Sequence, residues 1–107
     1  MSRATIGPRR PGTLTWAARL KRAMRGGNLT VADLARWLDR PHATVRSWVE
    51  DGREPSGAPL DVEHAHQMLG LLEQLIAKKL GFPLPRLTTR ERARRMADVR
   101  ERLMAAQ

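Results

Sequence analysis

The chain has no cysteine and no tyrosine, and only one phenylalanine beside three tryptophans. Without cysteine there is neither a disulfide framework nor a thiolate metal site. Three serines and three histidines, with no cysteine or tyrosine, leave few ways to assemble a nucleophile, a base and an orienting group. No enzymatic activity is expected, and no cofactor or catalytic metal. Long apolar runs are also missing. The longest, Met68-Leu69-Gly70-Leu71-Leu72, is ended by Glu73 and is far too short to span a bilayer. The arginines near the N-terminus are not followed by an apolar segment, so no signal peptide is read there and a cytoplasmic location is expected. Acidic residues are scarce: 11 Asp and Glu stand against 20 Lys and Arg, a formal net charge of +9. An excess of this size points to a polyanionic partner, most often nucleic acid.

What remains is a chain of 107 residues, 41 % of them hydrophobic. That suits one small domain with an appended arm, its core built from Leu, Val, Met and Ala. A core of this size is marginal alone and gains from a second subunit. The charge is uneven. Residues 1–27 carry seven basic and no acidic side chains, and residues 84–107 carry seven basic and three acidic ones. The two segments between them are each close to neutral.

Residues 1–12 mix Gly and Pro with Arg3, Arg9 and Arg10 and show no apolar period, so they read as a flexible basic arm. A first helix is expected from Leu14 to Arg25, stopped by Gly26-Gly27, with Ala17, Leu20, Ala23 and Met24 on one face. Thr30 and Asp33 form a variant capping box that opens a second helix, ending at Leu38 or Asp39. Pro41 suits the first turn of a third helix that runs to Glu50, and Asp51-Gly52 ends it. Asp61 is placed as the cap of a long fourth helix ending at Leu80, with Gly81 as its stop. Its stripe of Val62, Ala65, Met68, Leu69, Leu72, Leu75, Ile76 and Leu80, widened by Leu71, is broader than one neighbour requires. Phe82-Pro83-Leu84-Pro85 is a stiff link. Thr88 and Glu91 make a T-x-x-E capping box for a basic fifth helix, whose inner face is Ala93, Met96, Ala97, the stem of Arg100, Leu103 and Met104. No strand signal appears. The expected fold is all-α with five helices, three of them in a helix-turn-helix domain at residues 13–59, and the long fourth and basic fifth helices in a helical hairpin at 60–107 used for oligomerisation.

The most informative stretch is Leu29 to Trp48. Two short helices joined by three residues must cross steeply. Such a crossing needs a small residue where the helices meet, and Ala35 is there. It needs a turn residue that tolerates the left-handed region, and Asp39 is available. Leu34 and Leu38 anchor the first helix, Val45 and Trp48 the second. On these residues, with Leu29-Thr30, Thr44-Val45 and the Gly52-Arg53-x-Pro55 loop, residues 29–59 resemble the phage-repressor-like helix-turn-helix family. The family prefers Gly where this chain has Asp39, and an apolar residue where it has Arg40.

The resemblance implies that the helix from Pro41 to Glu50 enters the major groove of double-stranded DNA. Helical geometry agrees: with Val45 and Trp48 inward, His42, Ala43, Arg46 and Ser47 face out. Arg46 is the leading candidate for base readout, because its fork matches the O6 and N7 acceptors of guanine. His42 and Ser47 can bond bases or phosphates, and Ala43 can touch a thymine methyl. Phosphate contacts are assigned to Arg3, Arg9, Arg10, Arg19, Arg22 and Arg25, with Thr30, Arg40 and Thr44 from the motif.

Several features read more plainly. His64 and His66 are two apart and point to different faces of a helix, so they do not make a metal site. Glu63 and Glu73 have no partner base and read as surface. Trp37 either packs on the long helix or makes a subunit contact. The arginines from Arg90 to Arg102 alternate with Glu91, Asp98 and Glu101, as on a solvated face, and a contact to DNA or to an acidic partner is the other reading. The expected function is sequence-specific binding of double-stranded DNA by a homo-oligomer, as a small dimeric transcriptional regulator. A second reading is the DNA-recognition subunit of a phage packaging machine, resembling small terminase subunits that build a ring. RNA binding is a third, weakened by the lack of aromatics for stacking bases.

Overall fold

The computed structural model describes residues 14–105. The arm with Arg3, Arg9 and Arg10 lies outside them. Among the described residues there are five helices and no strand: α1 (Trp16–Gly27), α2 (Val31–Leu38), α3 (His42–Asp51), α4 (Pro59–Ala77) and α5 (Thr89–Ala105). The fold is all-α, as expected.

Caps fix most of the boundaries. The Thr15 hydroxyl accepts from Ala18 N at the start of α1. Thr30 and Asp33 form the full reciprocal box at α2, and Thr88 and Glu91 do so at α5. Asp39 is left-handed, at φ 55 and ψ 49, and its neighbour Arg40 donates from its backbone N to Ala35 O, so the tight exit from α2 closes around the small residue.

Helix α1 begins at Trp16 and not at Leu14, and α3 runs from His42, after Pro41 at its cap position, to Asp51. Three further boundaries differ from expectation for reasons of packing or closure. First, α1 runs through Gly26-Gly27 and ends at Asn28, which is left-handed at φ 54. The glycines serve close approach instead: a Cβ on Gly26 would lie 3.1 Å from Ile76 Cγ2, and one on Gly27 would lie 3.0 Å from Leu29 and 3.1 Å from Ile76 Cδ1. Second, α4 starts at Pro59, two residues before Asp61, because proline fits the first helical position. Third, α4 ends at Ala77. The left-handed residue there is Lys79, at φ 57, and Leu80 N bonds to Leu75 O in a Schellman closure. The early exit lets Phe82 and Leu84 turn inward. Both are buried, and Leu84 N donates to Gly27 O.

One core joins all five helices. Leu20, Leu34, Trp37, Leu38, Val45, Leu69 and Leu72 are fully buried, and residues on both sides of Pro59 share this cluster. The middle of the α4 stripe is covered inside the chain: α1 and α2 both pack on α4, covering Ala65, Met68, Leu69 and Leu72. Trp37 is fully buried, and its indole N donates to Met68 O at 2.7 Å, so it packs on α4 within the chain. Helix α5 runs chiefly against α2, and an open groove remains between α5 and the end of α4. On α5, Met96 is buried, Val99 and Leu103 are half-buried, and Ala97 and Met104 are exposed.

Candidate nucleic-acid interface

The candidate interface is built on α3, and the sequence places it by opposition of faces. Val45, Trp48 and Val49 are buried against α1 and α2. The Trp48 ring stands edge-on to Trp16 at 5.5 Å between centroids, which locks the rotation of α3 about its own axis. The opposite face then carries His42, Ala43 and Arg46, all exposed, and Ser47, half-buried at its edge. Thr44 is half-buried and closes the first turn, its backbone N bonded to Pro41 O.

Two of these side chains are held by local partners. Arg46 Nε donates to Glu50 Oε2 at 3.0 Å one turn along, with side chains 61 % and 55 % exposed. A pair this open contributes only a few tenths of a kcal/mol, about 0.3–0.5, so a better acceptor can displace Glu50 easily. Ser47 Oγ donates to Asp51 Oδ2 at 3.2 Å.

The phosphate candidates separate into free and engaged groups. Arg22 and Arg25 are exposed on α1 and belong to no ion pair among the described residues. Arg19 is engaged. It forms a two-point bond with Glu73 of α4, at 3.0 Å and 2.6 Å, with its guanidinium carbon over the Trp16 ring, 5.9 Å from the centroid. The hydrogen bonds that Arg19 donates to the Glu73 carboxylate hold its guanidinium above its ordinary pKa. Glu73, read from sequence as plain surface, is therefore a clamp between α1 and α4. Arg40 leaves the turn sideways, and its Nη2 donates to Asp61 O at 3.0 Å, tying the motif to the first turn of α4. Thr30 is exposed, and its hydroxyl accepts from Asp33 N while capping α2.

Sequence reasoning missed the strut behind the motif. Asp33 is buried, and its Oδ2 receives Thr30 N at 2.8 Å together with Arg92 Nε at 3.1 Å and Nη2 at 2.8 Å. Arg92 also donates to Asn28 O. Two helical turns further along α5, Arg100 Nε donates to Trp37 O at 3.1 Å. The signal was in the period: Arg92 continues the stripe of Met96, Arg100 and Leu103 back by one turn. The arginines of α5 thus divide. Arg92 and Arg100 brace α2 from behind, while Arg90, Arg94, Arg95 and Arg102 face solvent.

His64 is half-buried, and His66 lies 4.8 Å from the Trp16 ring, centroid to centroid. No cluster of metal-ligating side chains occurs among the described residues. None of the described helices is long and apolar enough to cross a membrane. No protein-family model, no curated protein and no solved structure matches this chain.

Proposed function

We propose that this chain binds double-stranded DNA in a sequence-specific manner, with α3 in the major groove, as a small transcriptional regulator. The observation that carries the reading is the two-faced α3: Val45, Trp48 and Val49 hold one face in the core, and the opposite face offers His42, Ala43 and Arg46 to solvent. A helix fixed in rotation and translation is what base readout requires, because a donor fork must meet two acceptors at once. The net charge of +9 supports an anionic partner. In this reading Arg46 exchanges Glu50 for guanine, and Arg22, Arg25 and the arginines of residues 1–12 supply phosphate contacts. Arg19 and Arg40 act indirectly, by holding α1 and the turn to α4.

The test is enrichment of bound duplexes from a random library, followed by titration of the enriched site and a scrambled one. A defined motif containing guanine is expected, bound well above the scrambled duplex. Arg46→Ala should lower affinity for the enriched site and relax selection at one position. Equal binding of both duplexes, or an unchanged preference in Arg46→Ala, overturns the reading.

A further inference from the structure

The two ends of α4 carry surfaces that complement each other and cannot meet within one chain. At its start, Leu60 is 78 % exposed, the most exposed large apolar side chain among those described. Asp61 and Glu63 beside it are exposed and belong to no ion pair among the described residues. At its end lies the groove left between α4 and α5, with a volume of about 690 Å³. Leu75, Val99 and Leu103 form its half-buried floor, and Leu80, 55 % exposed, forms its lip. Lys79, Arg95 and Arg102 stand around it, exposed and outside any ion pair among the described residues, with Asp98 the one acidic side chain in the lining. An apolar tooth flanked by carboxylates thus has a counterpart in an apolar groove flanked by cations. Phosphate would use the cations but not the floor, whereas an acidic apolar segment uses both.

We infer that this groove takes the α4 start of a second copy of the chain, with Leu60 seated on Leu75, Val99 and Leu103 and with Asp61 and Glu63 meeting the Lys79, Arg95 and Arg102 side. Leu60 and Leu75 lie roughly 22 Å apart along a straight helix, so the tooth does not reach its own groove. The contact is heterologous, head to tail, and repeats until rotation closes it into a ring or carries it on as a filament. The inference does not rest on DNA binding. A tooth of one leucine and two carboxylates gives a small interface, so association is weak and transient.

Sedimentation equilibrium without nucleic acid, at moderate salt and over a wide concentration range, tests it. The wild-type chain should grow beyond a monomer as concentration rises. Leu60→Asp, which spoils the tooth, and Leu80→Glu, which spoils the groove, should each lower the association constant by about 30-fold or more, as expected of a central apolar anchor. Both positions are exposed, so both variants should keep the wild-type helix content and melting temperature. Mixed together, each variant supplies the surface the other lacks, and the product should stop at twice the 12.1 kDa of one chain. Asp61→Lys with Glu63→Lys should abolish growth, and adding Lys79→Glu with Arg95→Glu in the same chain should restore it. A wild type that stays monomeric to about 1 mM, the weak limit of specific association, overturns the inference. So does assembly that both leucine variants leave unchanged, the result expected of a two-fold contact through another face.

Discussion

At the scale of single residues, the tryptophans differ in what the indole nitrogen meets. Trp37 and Trp16 are both buried, yet only Trp37 finds an acceptor, at Met68 O. The Trp16 Nε1 has none among the described residues. A buried donor without an acceptor has lost its water and gained nothing, whereas deleting one half of a buried bond costs about 1–3 kcal/mol. Trp37→Phe should therefore lower the unfolding free energy by about 2 kcal/mol, from lost volume and the lost bond together. Trp16→Phe should cost measurably less, although both remove the same atoms. Urea denaturation of the two variants decides this, and equal losses would mean that the hydrogen bond contributes nothing. Arg46 is the opposite kind of residue, exposed and weakly held. Arg46→Ala should leave stability within about 0.5 kcal/mol. Its effect belongs to binding, a loss of about 10–100-fold on the preferred duplex. Arg46→Lys should recover only part of it, because an ammonium cannot match two acceptors in one plane.

At the scale of elements, α5 acts as a brace for α2, and the Asp33–Arg92 pair is its fixing point. The pair is 1 % and 15 % exposed, and Asp33 also caps α2. Removing one partner strands a buried charge, so Arg92→Ala should cost about 3 kcal/mol, the lower end for such pairs because Arg92 is not fully buried. Asp33→Ala should cost at least as much, since the cap is lost too. A double-mutant cycle should return a favourable coupling, and additive losses would show that the two side chains act independently. The box at α5 responds to pH. Hydrogen bonds from Thr88 hold the Glu91 carboxyl below its ordinary pKa. A carboxyl lowered on folding stabilises the helix start above its unfolded pKa, and that contribution is lost as pH falls through the folded pKa. The Thr88 amide should follow this titration by NMR in the wild type and not in Glu91→Gln, where the amide cap persists without a proton to bind. The elements were legible where a local signal decided them. Both capping boxes, the left-handed Asp39 and the inward pair Val45 and Trp48 stand where the sequence put them. Long-range packing decided the others. Gly26-Gly27 resembles a helix stop until Ile76 of α4 is seen lying against it, and Asp61 resembles a cap until Pro59 is allowed to begin the helix. The arginines of α5 could not be sorted into brace and surface without knowing that α2 lies beneath Arg92.

At the scale of the whole molecule, charge and core answer separate questions. The core is filled by the chain itself where α1 and α2 cover Ala65, Met68, Leu69 and Leu72 of the α4 stripe, while Leu75 and Leu80 at its far end border the open groove. The charge is not used up internally in the same way. Three ion pairs occur among the described residues, and they engage only Arg19, Arg46 and Arg92 of a chain with 20 basic side chains. Arg40 and Arg100 are tied to backbone carbonyls, the exposed cations outside these bonds and pairs are available to a polyanion, and each phosphate neutralised releases condensed counterions. Each contact then adds about 0.9 to the slope of log affinity against log salt. If the proposed function holds, removing residues 1–12, with Arg3, Arg9 and Arg10, should lower that slope by roughly 2–3. It should weaken preferred and scrambled duplexes by similar factors, because phosphate contacts carry no sequence information. Arg46→Ala should do the reverse, changing the ratio between duplexes more than the slope. Titrations of the three proteins at several salt concentrations separate these effects. A truncated chain with the wild-type slope would assign the phosphate contacts to the described residues, where Arg22 and Arg25 of α1 and the outward arginines of α5 are exposed.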